Sequence, residues 1–239
     1  MSPQANAQIG GLWPWLVLPA RLLLFAAAQL AFAMVLGNWD ASIAWWPLAA
    51  TLVNIATIII LMRLLEQDGR DLGSLFRASR PHSPDLLILG LALLVVIALA
   101  LVPSMWLSAW LYGDPQTGSE LLAGRLPLWA AMLALAFPLT MVFAELPLYF
   151  GYAMPHIAAR TGKAWIGILA PALFLAIQHI TLPLIFDTRF IVLRALSFLP
   201  LALFLGVLVY WRPRYLPFLA VVHGLLDLSV VVLLLIRAN

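Results

Sequence analysis

The chain has no cysteine and few charged residues, and both shortages narrow its chemistry. Without cysteine it has no disulfide, no thiolate metal ligand and no cysteine nucleophile, so any catalysis must use oxygen and imidazole groups. Charged residues make up only 10% of the 239 residues and hydrophobic residues 64%, whereas an average soluble domain is about 25% charged. This composition indicates an integral membrane protein whose surroundings are the lipid bilayer. The 13 basic and 10 acidic residues are too dispersed for a nucleic-acid-binding face, which excludes a nucleic-acid partner.

Seven apolar stretches approach or exceed the roughly 20 residues that a membrane-crossing helix needs. They predict an all-α polytopic transmembrane helix bundle with about seven spans, within a range of six to eight. Pro138, Pro147 and Pro155 predict a kink in the fourth. No linker or internal repeat divides the chain, so residues 1–239 are expected to form one membrane domain. In chain order the stretches are Leu12–Leu36, Ser42–Leu65, Leu86–Tyr112, Leu126–Ala158, Ala164–Phe186, Ile191–Trp211 and Leu216–Leu235.

Positive charge concentrates in the even-numbered connections between these stretches. Cytoplasmic loops of membrane proteins carry an excess of lysine and arginine. We therefore expect these connections and the amino terminus to be cytoplasmic, in the inner membrane of a bacterial cell. The residues are Arg63, Arg70, Arg77 and Arg80 in the second connection, Arg160 and Lys163 in the fourth, and Arg212 and Arg214 in the sixth.

Arg21 is an arginine a few turns inside the first apolar stretch. Long basic side chains near a helix end commonly extend to the membrane surface. We expect Arg21 to do so, and a role inside the bundle is the alternative.

Four ionisable residues stand inside the apolar second half of the chain: Glu145, His179, His223 and Asp227. A carboxylate at the bilayer centre costs roughly 2.5 to 3.5 kcal/mol on insertion scales. Counted from the cytoplasmic charges, all four lie roughly 14 to 24 Å deep at 1.5 Å per helical residue. His223 and Asp227 share a helix face because they are four residues apart. The pattern favours a shared functional cavity, and a purely structural hydrogen-bond network is the alternative.

A stripe of polar residues continues from Glu145 on the same face of an ideal helix. Tyr149, Tyr152 and His156 fall within about 40° of Glu145 at 100° per residue. They are candidates for a substrate or water path from the cytoplasmic side. The alternative is that all three are ordinary membrane-interface residues.

Residues 126–235 resemble the CAAX-protease and bacteriocin-processing (CPBP) family of intramembrane proteases. The family motifs are EExxxR, FxxxH and HxxxN/D on successive helices. Here the first reads ELPLYF from Glu145 and continues with Gly-Tyr, the second reads LAIQH and ends at His179, and the third reads HGLLD from His223 to Asp227. The order and spacing of all three carry the resemblance.

Two of the motifs depart from the family pattern. Leu146 replaces the second glutamate and Phe150 the arginine, while Leu175 replaces the phenylalanine of the second motif, although Phe174 adjoins it. Since Leu146 and Phe150 are four residues apart, an apolar pair replaces both members of a charged pair. Such an exchange can be neutral for stability, so we expect the fold to survive it.

The resemblance implies a glutamate-dependent endopeptidase that hydrolyses a peptide bond in a membrane-associated or prenylated protein. Glu145 would be the general base on a water molecule, and His179 and the His223–Asp227 pair would hold the water or stabilise the oxyanion. No cofactor is required by this scheme.

Other functions stay open. Glu145, His179 and His223 would suit a zinc ion chemically, although no HExxH helix is present. A degenerate family member acting as a membrane scaffold or in bacteriocin immunity would need no catalysis. A proton-coupled transporter is disfavoured because no inverted repeat is visible. The sequence specifies neither the substrate nor the oligomeric state.

Overall fold

Helices account for almost all of the described chain, because a backbone in lipid must satisfy its own hydrogen bonds. The computed structural model describes residues 13–77 and 83–238, and no strand is present in these ranges. The predicted all-α bundle is confirmed. The α-helices of the first half are α1 Trp13–Leu36, α2 Trp39–Ile43, α3 Trp46–Gln67, α4 Ser83–Tyr112, α5 Thr117–Glu120 and α6 Leu128–Leu133.

The second half holds the candidate site and has more interrupted helices. A seven-residue π-helix, Pro147–Ala153, joins α7 to α8, and short 3₁₀ turns occur at Leu72–Leu75 and Pro213–Tyr215. The α-helices are α7 Ala136–Leu146, α8 Met154–Thr161, α9 Ala164–Gln178, α10 Thr188–Ser197, α11 Leu199–Trp211 and α12 Leu216–Arg237.

Within the described residues, six helical segments are long and apolar enough to cross a membrane, which makes the chain an integral membrane protein. One of them, Leu128–Thr161, combines α6, α7, the π-helix and α8, as its three prolines predicted. The others are Trp13–Leu36, Trp46–Gln67, Asp85–Tyr112, Thr188–Trp211 and Pro213–Arg237.

The predicted fifth span, Ala164–Phe186, is wrong in its second half. Helix α9 ends at Gln178 and is 15 residues long, about 22 Å at 1.5 Å per residue. Irregular backbone at membrane depth is tolerated only where protein groups satisfy it. The side-chain amide of Gln29 bonds both the N–H (2.6 Å) and the C=O (2.9 Å) of Leu184. Arg194 donates to the carbonyls of His179 and Leu182.

The connections gather at two ends of the bundle. At one end His156 of α8 lies 2.9 Å from Asp68, which follows α3, and Arg214 pairs with Asp85 at the start of α4. This end carries the basic connections and is called the basic end below. Arg80 lies outside the described residues.

The opposite end gathers the remaining connections. There Ile185, which follows α9, packs in one apolar cluster with Leu107 and Tyr112 of α4. The chain therefore passes seven times between the two ends, α9 and the irregular residues after it forming the fifth pass.

Candidate functional site

Glu145 is the last polar residue of α7 and lies fully buried between α9 and α12. Its Oε1 atom is 2.9 Å from Nε2 of His223 in α12. Its Oε2 atom accepts a 2.6 Å hydrogen bond from the side-chain amide of Gln178 in α9. Three helices thus converge on one carboxylate, with Gln178 as the partner from α9.

His223 lies between two carboxylates. The same Nε2 atom that faces Glu145 is 3.8 Å from Oδ2 of Asp227, one helical turn further along α12. The carboxylates of Asp227 and Glu145 therefore both face Nε2 of His223. Neither of them contacts Nδ1 of this ring.

Three polar atoms of this group have no aligned hydrogen bond within the described residues. They are Oε1 of Glu145, Nδ1 of His223 and Oδ2 of Asp227, and all three atoms are buried. Oε1 of Glu145 still lies 2.9 Å from Nε2 of His223. Buried polar atoms in proteins are normally paired, so Nδ1 of His223 and Oδ2 of Asp227 indicate a place for water or a polar ligand.

A cavity of about 200 Å³ lies beside His223 and Asp227. His223, Asp227 and His179 all contribute to its wall, together with Arg194 and Ser104. This volume holds several water molecules or a short stretch of extended chain. The cavity therefore brings His179 beside His223 and Asp227, and Glu145 lies behind His223 at 2.9 Å.

His179 is held rigidly at the end of α9. Its Nδ1 atom is 2.7 Å from the carbonyl oxygen of Leu175, which assigns the proton to Nδ1 in the neutral ring. The ring also stacks on Phe198 with 3.8 Å between centroids and 9° between planes. Nε2 is then the nitrogen left to accept a hydrogen bond.

Arg21 reaches into the centre of the bundle, so our expectation that it extends to the membrane surface is wrong. The side chain is fully buried. Its Nε donates to Oε1 of Gln178 at 2.8 Å, and its terminal nitrogens donate to Thr57 and Asn54 of α3, both at 3.1 Å. One terminal nitrogen is 3.4 Å from Oε2 of Glu145. Arg21 lies deep in α1, where α3 and α9 supply these hydrogen-bond partners. At this depth the side chain does not reach the membrane surface.

Sequence reasoning missed Gln178, Asn54 and Thr57. All three are polar residues inside apolar stretches and are almost completely buried. An amide or hydroxyl inside an apolar run is the signal that would have identified them. A search restricted to ionisable groups passes over all three.

The polar stripe after Glu145 divides between the site and the basic end. Tyr149 is buried, and its hydroxyl lies 3.1 Å from both the carbonyl of Leu18 and Oε1 of Gln178, so it belongs to the Arg21 network. Tyr152 packs against the ring of His156 at 4.3 Å, and His156 contacts Asp68. The π-helix has more residues per turn than an α-helix, so these side chains point in different directions from those of an ideal α-helix. Whether the stripe carries water or substrate stays a prediction.

The two replaced residues of the first motif lie in the main apolar core. Leu146 and Phe150 are each 1% exposed. Phe150 packs on Gly206 of α11, where an added Cβ would lie 3.1 Å from the ring. No charged group is stranded by the exchange, because the apolar pair meets apolar neighbours.

The described ranges contain no group of three His, Asp or Glu side chains that could hold a metal ion. His179 directs Nδ1 to its own helix, and Glu145 is already engaged by Gln178 and Arg21. The residues named for zinc do not form a ligand set, and we derive no step through a metal.

Comparisons with family models, with curated proteins and with solved structures found no match to this chain.

Proposed function

We propose that the protein is an intramembrane peptidase of the CPBP type that uses Glu145 to activate water. One observation carries the proposal: a cavity is lined by His179, His223 and Asp227, and the same His223 lies 2.9 Å from the buried carboxylate of Glu145. A hydrolase needs such a water-accessible polar site within the bilayer. The motif order described above supports the same assignment.

In the proposed reaction, a water molecule in the cavity attacks the carbonyl carbon of the scissile peptide bond. Glu145 accepts one proton from this water and returns it to the departing amine, so that the two products are a carboxylic acid and an amine. His223 stabilises the oxyanion that forms on the carbonyl oxygen, and Nε2 of His179 accepts a hydrogen bond from the attacking water and so holds it in place. Arg21 and Gln178 fix the carboxylate in position through Oε2 and leave Oε1 toward His223.

The test is cleavage of a prenylated or membrane-inserted peptide by purified wild-type protein and Glu145→Gln. The amide keeps the shape of the carboxylate but cannot act as a base, so we expect a loss of at least about 100-fold in kcat. Glu66→Gln is the matched control, because Glu66 is an exposed glutamate near the basic end. Equal turnover by wild type and Glu145→Gln would end the proposal.

A second candidate function is a scaffold or bacteriocin-immunity protein that lacks catalysis. It is favoured by the complete burial of Glu145 and its pairing with Arg21, since such a network can serve stability alone. Co-purification of membrane partners by wild type and Glu145→Gln tests it. Equal capture of a partner by both proteins, with no cleavage by either, would select this function over peptide hydrolysis.

We place the protein in the inner membrane of a bacterial cell, with its amino terminus and the basic end on the cytoplasmic side. The support is the positive charge of the connections after α3, α8 and α11. The substrate is then a membrane-associated peptide or protein that reaches the site from within the bilayer or from the basic end.

A further inference from the structure

A second cavity, of about 520 Å³, lies at the basic end and is separate from the candidate catalytic cavity. Three arginines line it: Arg70 and Arg77 from the connection after α3, and Arg214 from the turn before α12. None of the residues that line the catalytic cavity lines this one. We call it the basic-end cavity.

The charge of the basic-end cavity is not cancelled by its neighbours. Arg77 is 2.9 Å from Asp71, and Arg214 pairs with the buried carboxylate of Asp85. Arg70 makes no ion pair with an acidic side chain in the described part of the chain. Three arginines and two aspartates leave one net positive charge, which matches the single negative charge of a phosphate diester.

One of the three arginines also has a hydrogen-bond donor that no described residue uses. Nε of Arg214 is buried and has no hydrogen-bond partner among the described residues. Guanidinium groups bind phosphate oxygens in a planar, bidentate geometry. A phosphate in the cavity would give such donors their missing acceptors.

The floor of the basic-end cavity is apolar. Phe150, Met154, Leu75 and Leu216 form much of it, and all four are buried in the main core. Gly151 keeps this floor open, since a Cβ there would be 3.0 Å from Leu216 and 3.2 Å from Leu75. The floor suits a hydrocarbon chain and the rim suits an anion.

Aromatic residues place the basic-end cavity at headgroup depth. Tyr210 contributes to its wall and is 47% exposed, and the neighbouring Trp211 is 56% exposed. Tyrosine and tryptophan are enriched where a membrane meets water. Basic pockets between transmembrane helices at this level bind anionic lipid headgroups.

We propose that the basic-end cavity binds a phosphate-bearing ligand, its phosphate held by Arg70, Arg77 and Arg214 and its hydrocarbon against the apolar floor. The proposal does not depend on catalysis by Glu145. The ligand is an anionic lipid, and free phosphate is the competing ligand that the experiment distinguishes from it.

The experiment is titration calorimetry of the full chain in a non-ionic detergent with three probes. These are short-chain phosphatidylglycerol, short-chain phosphatidylcholine and inorganic phosphate, each below its critical micelle concentration where it forms micelles. We expect phosphatidylglycerol to bind more tightly than phosphatidylcholine, because the choline cation would meet the arginines. Inorganic phosphate that displaces phosphatidylglycerol at similar concentration identifies the phosphate alone as the ligand. Phosphate that fails to displace it identifies the lipid.

Arg70→Gln and Arg77→Gln test the role of the cavity. Both side chains are exposed, so the variants should fold, and we expect each to weaken phosphatidylglycerol binding about tenfold through the loss of a charged hydrogen bond. Arg63→Gln is the matched control, because Arg63 is an exposed arginine near the same end but outside the cavity. Equal weakening by Arg63→Gln would show nonspecific attraction and overturn the proposal. Equal affinity for phosphatidylglycerol and phosphatidylcholine would also overturn it.

Discussion

Arg21 and Glu145 are both buried at the centre of the bundle, and their side chains are 3.4 Å apart. Removing either member of such a pair leaves an uncompensated charge, whereas replacing both by apolar groups can be nearly neutral. Arg21 has three further acceptors in Gln178, Thr57 and Asn54. The arginine of α1 therefore organises side chains from three other helices around the proposed base.

Arg21→Ala should lower the free energy of unfolding by about 3 to 5 kcal/mol, because the Glu145 carboxylate loses its cation while it stays buried. Unfolding by sodium dodecyl sulfate, followed by tryptophan fluorescence, measures the change.

The double variant Arg21→Met with Glu145→Leu should recover most of the stability lost in Arg21→Ala, since it leaves no lone charge. Arg63→Ala is the surface control, with an expected loss below about 1 kcal/mol. A similar small loss in Arg21→Ala would contradict the central role of this pair.

The principal site residues could be predicted from the sequence, and their partners could not. Glu145, His179, His223 and Asp227 stand out because ionisable groups are rare in apolar stretches. Arg21 stands out equally, but the direction of its side chain depends on how α1 packs against α3 and α9. The sequence of one helix does not specify that packing. The amide of Gln178 lies beside His179 in the chain and does not stand out, because amides carry no charge.

At the scale of single elements, the early end of α9 shapes the site. The residues after Gln178 include His179, Thr181 and Pro183, but apolar residues continue among them to Phe186, so the apolar stretch ran on through the break. Arg194 of α10 compensates for it by donating to two carbonyls, at 3.1 Å to His179 and 2.7 Å to Leu182. The side chain is 8% exposed, so water does not replace these bonds readily.

Arg194→Ala should cost about 3 kcal/mol of stability, because two buried carbonyls lose charged donors. It should also loosen His179, whose own carbonyl is one of the two. Chemical denaturation measures the first effect, and the nuclear magnetic resonance line width of the His179 ring measures the second.

Arg194→Lys is the conservative variant, and it should recover only part of the loss, since an ammonium group lacks the fork that reaches both carbonyls. Arg189→Ala on the same helix is the control, as its side chain is 60% exposed. An Arg194→Ala protein as stable as Arg189→Ala would show that water caps α9 adequately.

The contact between α12 and α7 depends on Gly224. A Cβ at this position would be 2.6 Å from Cγ2 of Val142 and 3.0 Å from the carbonyl oxygen of Pro138. A backbone atom cannot move aside as a side-chain end can. The absence of a side chain at Gly224 therefore lets the adjacent His223 reach Glu145.

Gly224→Ala should destabilise the protein by about 1 to 3 kcal/mol through overpacking and should lower the proposed peptide hydrolysis by moving His223 away from Glu145. Thermal unfolding and a cleavage assay measure the two effects.

Gly90→Ala in α4 is the matched control. A Cβ there meets nothing within 4 Å, so helix propensity should make this variant slightly more stable. Equal behaviour of the two variants would contradict the close-packing argument.

For the whole molecule, hydropathy predicted about seven spans. Six helical segments of the described residues are long and apolar enough to cross a membrane, and composition alone finds these because lipid imposes one length on all of them. The fifth pass combines a 15-residue helix with irregular backbone that Gln29 and Arg194 satisfy. Such a pass depends on long-range contacts, which explains why its end was not predictable.

The crossing by α4 places Gln67 and Gln116 on opposite sides of the membrane, since Gln67 ends α3 at the basic end and Gln116 follows α4 at the other. The cysteine-free chain permits a direct test with the single variants Gln67→Cys and Gln116→Cys. Both side chains are exposed, so the pair is matched in chemistry and accessibility. A membrane-impermeant maleimide should label Gln116→Cys in intact cells and Gln67→Cys only after permeabilisation, because the basic connections are retained in the cytoplasm. Labelling of both in intact cells would contradict the crossing by α4, and the reverse pattern would contradict the orientation while leaving that crossing intact.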